Sequence, residues 1–192
     1  LIKDMSFNDS KDYKFVDSFK TMNNKTMSPR KKLVNPNIFF RKLTKLTSKE
    51  DAIIIDGGGT ALYTGFQSSI IDQGQTIICS SAICSMGTGF GEVIGSYMSR
   101  RFKSLFCIIG DGSALMNIQD LQSISDLNIP VVICIINNNG YLAIRHTQNG
   151  FLDKKYFGTH PDWKLGNVSF KKAASAFNIK YLRLEKNSEI NK

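Results

Sequence analysis

Two hydrophobic spacings alternate along this chain. Ile38, Phe39, Leu43 and Leu46 recur at helical intervals after an Asn35-Pro36 start signal, which predicts a helix to about residue 47. Short apolar runs predict strands at Ala52–Ile55, Thr76–Cys79, Leu105–Ile109 and Val131–Ile136, with a last strand near Lys180–Leu184. Helical stretches fall between them: one reaching about Ile71, then Gly87–Ser99, about Asn117–Leu127, and about Ser169–Phe177. The second carries glycines at 87, 89, 91 and 95, a pattern that predicts close backbone packing at some cost in helix propensity. Strands that alternate with helices and are apolar on both faces predict an α/β fold, a parallel sheet with helices on both faces in a doubly wound, three-layer arrangement. Ligands bind such sheets beyond the carboxyl ends of the strands. Three predicted strands end in the loops Asp56–Thr60, Gly110–Ser113 and Asn137–Gly140, so the site is expected there.

Composition refines this picture at the amino end. The chain has 192 residues, 42% of them hydrophobic, enough for one ordinary core. Residues 1–34 lack a sustained period and read as a linker or an extension from a preceding domain, leaving 35–192 as the folded domain, expected to be a fragment of a longer protein. The net charge of +9 is uneven: residues 1–50 hold 12 Lys and Arg against 5 Asp and Glu, and the remainder 13 against 11. The basic run Arg30-Lys31-Lys32 lacks interleaved aromatics and any nucleic-acid motif, so no nucleic-acid partner is expected. The apolar run Ile129–Ile136 contains Pro130 and falls far short of the roughly 20 residues a spanning helix needs, so no membrane helix is expected either. Cys79, Cys84, Cys107 and Cys134 lie in or beside apolar runs without metal-binding spacing. Reduced, mostly buried thiols and the lack of a visible leader point to a cytoplasmic protein.

The loops carry specific chemistry. Gly110 and Gly112 allow close approach of an anion, which backbone N–H groups and the Ser113 hydroxyl can face. Asp111 would repel a phosphate unless a cation intervened, and Mg2+ wants oxygen ligands of this kind. Asn138 follows 27 positions later, about one helix, one strand and two turns, so its amide can meet Asp111, with the Gly140 carbonyl as a third ligand. A glycine-flanked aspartate alone also makes an ordinary tight turn; the pairing with Asn138 is what raises the signal.

GDG followed by NN after some 25 residues resembles the signature of thiamine diphosphate enzymes. The run GDGSALMNIQDLQSISDLNIPVVICIINNNGY is similar to the acetolactate synthase-like family of 2-oxo acid carboligases and decarboxylases, over roughly residues 35–184, in that family's carboxy-terminal diphosphate-binding domain. The resemblance implies Mg2+ held by Asp111, Asn138 and the Gly140 carbonyl. Met86, in SAICSMGTGFGEVIG, matches the methionine that wedges the cofactor into a V shape, and Cys84 stands where the family usually has a glycine whose carbonyl receives the aminopyrimidine. Gly59, Thr60, Tyr141 and Leu142 are further expected cofactor contacts.

The same resemblance implies a transferase or lyase acting on a 2-oxo acid. It also implies an activating glutamate absent from this chain, supplied by the pyrimidine-binding domain of a second subunit in a homo-oligomer. Glu92 is near the Met86 loop but does not match it. Whether a middle domain binds FAD lies beyond these residues. Two other readings stand beside this one: a degenerate thiamine diphosphate-binding module without turnover, and an actin-like phosphotransferase, since DGGGT also resembles a first phosphate loop. His146 and His160 read as ordinary loop residues.

Overall fold

A computed structural model describes residues 33–190 except 167; the expected extension at 1–34 therefore lies almost wholly outside the described residues. Four parallel strands, β1 (Asp51–Ile55), β2 (Thr76–Ile78), β3 (Ser104–Gly110) and β4 (Val131–Ile136), form one sheet in the order β2-β1-β3-β4. Helix α1 (Pro36–Leu46) precedes β1, and α2 (Gly59–Ser68) follows it. Helix α3 (Gly89–Met98) joins β2 to β3, and α4 (Asp111–Met116) and α5 (Asp120–Asp126) join β3 to β4. Helix α6 (Leu142–Phe151), a 3-10 turn at Pro161–Trp163, α7 (Phe170–Ala176) and a second 3-10 turn at Asn187–Glu189 complete the described chain.

The apolar runs are apolar on both sides because both sides are covered. Alternate residues of β1 and β3 point in opposite directions. Ala52, Ile54, Leu105, Cys107 and Ile109 pack with Phe90 and Val93 of α3 and Leu121 and Ile124 of α5. Ile53, Ile55 and Ile108 pack on the other face with Phe40 and Leu43 of α1 and Ala61 of α2. This is the doubly wound α/β architecture expected from the pattern. At α1 the start signal is realised atom by atom: the Asn35 side chain accepts a hydrogen bond from the Asn37 N–H at 2.9 Å, and Pro36 occupies the first turn.

Several expectations need correction. The stretch Asn117–Leu127 is helical only from Asp120 to Asp126, because Asn117 leaves helical dihedrals at φ −130°, ψ 34°. Helix begins earlier instead, at Asp111 itself, so the Gly110–Ser113 segment is a strand passing directly into a helix and not an open loop. Of the four glycines in the glycine-rich segment, a Cβ at Gly87 or Gly89 would crowd its neighbours, whereas Gly91 and Gly95 face open space. Residues Lys180–Leu184 form no strand and pair with none among the described residues, and Leu182 is 75% exposed. A strand-like pattern does not by itself supply an edge to pair with.

Helix α6 was not expected at all. Its buried residue is the polar Gln148, and hydrophobic periodicity does not register a helix held by polar contacts. His146 accordingly lies exposed on this helix, while His160 does lie in a loop, where its Nδ1 accepts from the Asp162 N–H at 3.2 Å. Of the thiols expected to be mostly buried, Cys107 is fully buried and Cys79 and Cys134 are partly so, whereas Cys84 is exposed. Burial holds Cys79 and Cys134 protonated, each pushed up to about 11.

The chain crosses the sheet between β1 and β3. After β1 it turns to the face covered by α2; after β3 it turns to the face covered by α5. The carboxyl ends of these two neighbours therefore diverge, which opens a crevice between them. Asp56, fully buried at the tip of β1, holds this point together. Its N–H donates to the Ile108 carbonyl at 3.0 Å, and its carboxylate accepts from the N–H groups of Gly58 (3.2 Å) and Gly89 (3.1 Å). Asp56→Ala strands two buried donors and is expected to cost about 3 kcal/mol in urea unfolding; a loss under about 1 kcal/mol would mean that water replaces the carboxylate.

Candidate functional site

The crevice is a cleft open to solvent. One wall is the start of α2, Gly58, Gly59 and Thr60; the floor is Gly110–Ser113; the far wall is Asn138, Gly140 and the first residues of α6, with Met86 beside Gly58. Of the residues expected to bind cofactor or cation, all but Cys84 line this one cleft.

Asp111 and Asn138 are where the chemistry concentrates. Asp111 is 7% exposed, and its Oδ2 accepts from the Gly140 N–H at 2.7 Å. Burial pushes its carboxyl above the ordinary carboxylate range, and backbone N–H groups at Gly140, Gly112, Asp111 itself and Asn138 partly offset that push. The Asn138 amide nitrogen donates to Thr60 Oγ1 at 3.3 Å, which commits that end of the side chain. Its Oδ1 is buried and has no hydrogen-bond partner. A buried amide oxygen left bare beside a buried carboxylate is a costly arrangement for a protein on its own and a suitable one for a hard cation. Among the described residues no three His, Cys, Asp or Glu side chains gather around a metal position. An ion here would take one carboxylate, one amide oxygen and a backbone carbonyl, with the rest of its shell from phosphate and water, which suits Mg2+.

Glycines shape the cavity by what they omit. A Cβ on Gly112 would lie 2.4 Å from Cε1 of Tyr141, so the ring rests directly on this backbone. Gly140 has φ +115°, and a Cβ there would meet the Thr159 carbonyl oxygen at 2.5 Å. Gly58 threads between the Ser113 hydroxyl, 2.6 Å from its would-be Cβ, and Met86 Cγ, at 3.0 Å. Gly110 is crowded by nothing within 4 Å and contributes open space to the cleft.

Residues 56–192 match the family profile described as thiamine pyrophosphate enzyme, C-terminal TPP binding domain. The chain belongs to this family. It is 36% identical over 121 residues to a probable acetolactate synthase large subunit of Methanococcus aeolicus, covering 61% of this chain and 19% of that protein. It is 30% identical over 169 residues to the mitochondrial acetolactate synthase of Schizosaccharomyces pombe, covering 87% of this chain and 25% of that one. The chain thus spans a quarter or less of these relatives. A thiamine diphosphate-dependent 4-hydroxybenzoylformate decarboxylase of Rhodococcus jostii RHA1 shares the fold, with a TM-score of 0.71 at 20% identity over 84% of this chain and 30% of that one. The expected family resemblance, the α/β fold and a thiamine diphosphate-binding domain like that of acetolactate synthases are thereby shown.

The phosphate-loop reading of DGGGT fails on geometry. Helix α2 begins at Gly59 where a hairpin strand would be needed, and the Asp56 carboxylate is spent on backbone N–H groups. Cys84 sits outside the cleft, exposed, with φ +54°, a backbone shape that favours the glycine usual there in the family. Gly58, Ala143 and Ile144 line the cleft and were not foreseen; the run of three glycines was the available signal for the first, and nothing in the sequence marked the other two.

Glu92 lies in the first turn of α3, away from the cleft, with Oε2 buried and unpartnered. Burial, and then the Asp56 charge, raise its pKa, against the Thr88 hydroxyl and the Ser80 backbone. A raised folded pKa means that Glu92 supports folding fully below its unfolded value, about 4.3, and that this support is lost as pH rises through the folded value. Glu92→Gln is therefore expected to raise Tm by a few degrees at pH 8 and hardly at pH 4; equal shifts at both would contradict this. Gly112→Ala must displace the Tyr141 ring, and a stability loss of about 1–3 kcal/mol with weaker thiamine diphosphate binding is expected from denaturation and calorimetry.

Proposed function

We propose that this chain holds thiamine diphosphate through Mg2+ within a 2-oxo acid carboligase or decarboxylase of the acetolactate synthase type. The observation that carries the reading is the pair formed by the buried Asp111 carboxylate and the unpartnered Asn138 Oδ1 in one cleft. Asp111, Asn138 and the Gly140 carbonyl would hold the ion, which would supply positive charge to offset that of the diphosphate. The Ser113 hydroxyl and the Gly59–Thr60 turn would face phosphate oxygens. Met86, an adaptable apolar side chain beside Gly58, would support the cofactor where its two rings meet. Tyr141 and Leu142 would close the far wall.

When bound, thiamine diphosphate supplies an acidic thiazolium carbon that adds to a 2-oxo group, and a ring that accepts electrons as carboxylate leaves. This chain's share of the work is to bind, orient and neutralise charge. Glu92, the acidic residue that follows the Met86 segment in sequence, does not line the cleft, and Asp56 is committed to backbone N–H groups, which supports a glutamate donated by the pyrimidine-binding domain of a second subunit and hence a homo-oligomer.

Titrating thiamine diphosphate calorimetrically into the full chain tests the reading. Binding is expected with Mg2+, and is expected to be lost with EDTA and in Asp111→Asn, whose side chain keeps the shape and one acceptor without the charge. Binding that survives both would remove the cation from the site. Retained binding without turnover of any 2-oxo acid, once the pyrimidine-binding domain that carries the glutamate is supplied, would instead favour the non-catalytic module.

A further inference from the structure

The Asn138–Gly140 loop has an awkward backbone. Asn139 at φ +60° and Gly140 at φ +115° are both left-handed, so the carbonyls beyond β4 splay away from any strand that might pair with them. A single side chain collects them. From α6, Arg145 Nη2 donates to the Asn138 carbonyl at 3.0 Å, and Nη1 donates to the carbonyls of Asn139 at 2.8 Å and Thr159 at 3.2 Å. The same Thr159 carbonyl accepts the Tyr141 N–H at 3.2 Å. One turn further along α6, the buried Gln148 accepts from the Thr159 hydroxyl at 2.5 Å and donates to the Phe157 carbonyl at 3.2 Å. Loop, helix and the Phe157–Thr159 segment are thus tied at one guanidinium.

We propose that Arg145 is a positioning residue for the cation-holding loop, an inference that rests on the Mg2+ reading above. Its planar fork serves three carbonyls at fixed angles, which a lysine ammonium on a flexible stem does not reproduce. By taking up the carbonyls of Asn138 and Asn139 it sets the two residues on either side of them: the Asn138 side chain against Thr60, and the Gly140 N–H against Asp111. The carbonyl of this loop that Arg145 leaves alone is that of Gly140. Arg145 touches no atom of the cofactor in this scheme; it acts through the loop.

Two readouts on the full chain test the role, in Arg145→Ala and Arg145→Lys. The first, hydrogen exchange without cofactor, is independent of any ligand: the Gly140 and Tyr141 amides are expected to exchange at least about tenfold faster in Arg145→Ala. The second is the Mg2+ concentration that half-saturates thiamine diphosphate binding, expected to rise about tenfold in Arg145→Ala, less in Arg145→Lys, and to return toward wild type when millimolar guanidinium fills the vacated space. Unchanged amides would show that the fork holds nothing. Loosened amides with an unchanged Mg2+ requirement would reduce Arg145 to a structural residue, as would a loss that guanidinium does not reverse. Should Arg145→Ala fail to fold, Arg145→Lys decides by the same measures, wild-type values overturning the role. A wild-type chain that binds the cofactor equally well in EDTA would overturn the cation reading and this role with it, whatever the amides do.

Discussion

Everything in the cleft hangs on the pairing of β1 with β3. Those two strands run side by side in register from Asp51 and Ser104 to Ile55 and Ile108, and then their continuations leave for opposite faces of the sheet. A parallel sheet that winds both ways must part somewhere, and at that parting the backbone ends of two strands stand open with no helix above them. Asp56 makes the parting rigid. Its carboxylate joins the end of β1 to the beginning of α3, so the Met86 segment, which leads into α3, is located by the same residue that ends the strand.

The site carries an imbalance that the rest of the fold tolerates. A buried carboxylate at Asp111 and a bare amide oxygen at Asn138 both disfavour the empty domain. Neither is there for the sake of the core, whose two apolar clusters lie beneath them in the sheet. Groups kept in so unfavourable a state mark where the domain is built to gain from a ligand and not from itself. Gly112, Gly140 and Gly58 extend the logic, since they omit a side chain where a ring, a carbonyl and a hydroxyl already stand.

Much of this was legible in the sequence because it depends on residue type and spacing. Apolar runs on both faces gave the parallel sheet away, and the aspartate and asparagine expected at successive strand ends do meet in one cleft. What stayed hidden depends on partners far along the chain. Helix α6 buries one residue, the polar Gln148, and is tied down by Arg145 and Gln148 reaching carbonyls, and a hydrogen bond to a distant carbonyl leaves no period behind. Lys180–Leu184 shows the converse: a strand-like pattern with no ladder to join. The exposed, left-handed Cys84 could be located by its motif, but its strain belongs to the backbone and becomes visible only in three dimensions.

One close contact reaches beyond the chemistry. A Cβ at Gly57 would fall 2.3 Å from the Ser85 carbonyl oxygen and 2.7 Å from the carbonyl carbon of Cys84, backbone against backbone, with no side chain to swing aside. The turn after β1 and the segment before α3 therefore behave as a single casting, though Ser85 lies 28 positions after Gly57. Anyone exchanging loops between this domain and a relative, to retune what its cleft accepts, must carry the two segments across together. A transplant of either one alone meets the mould of the other.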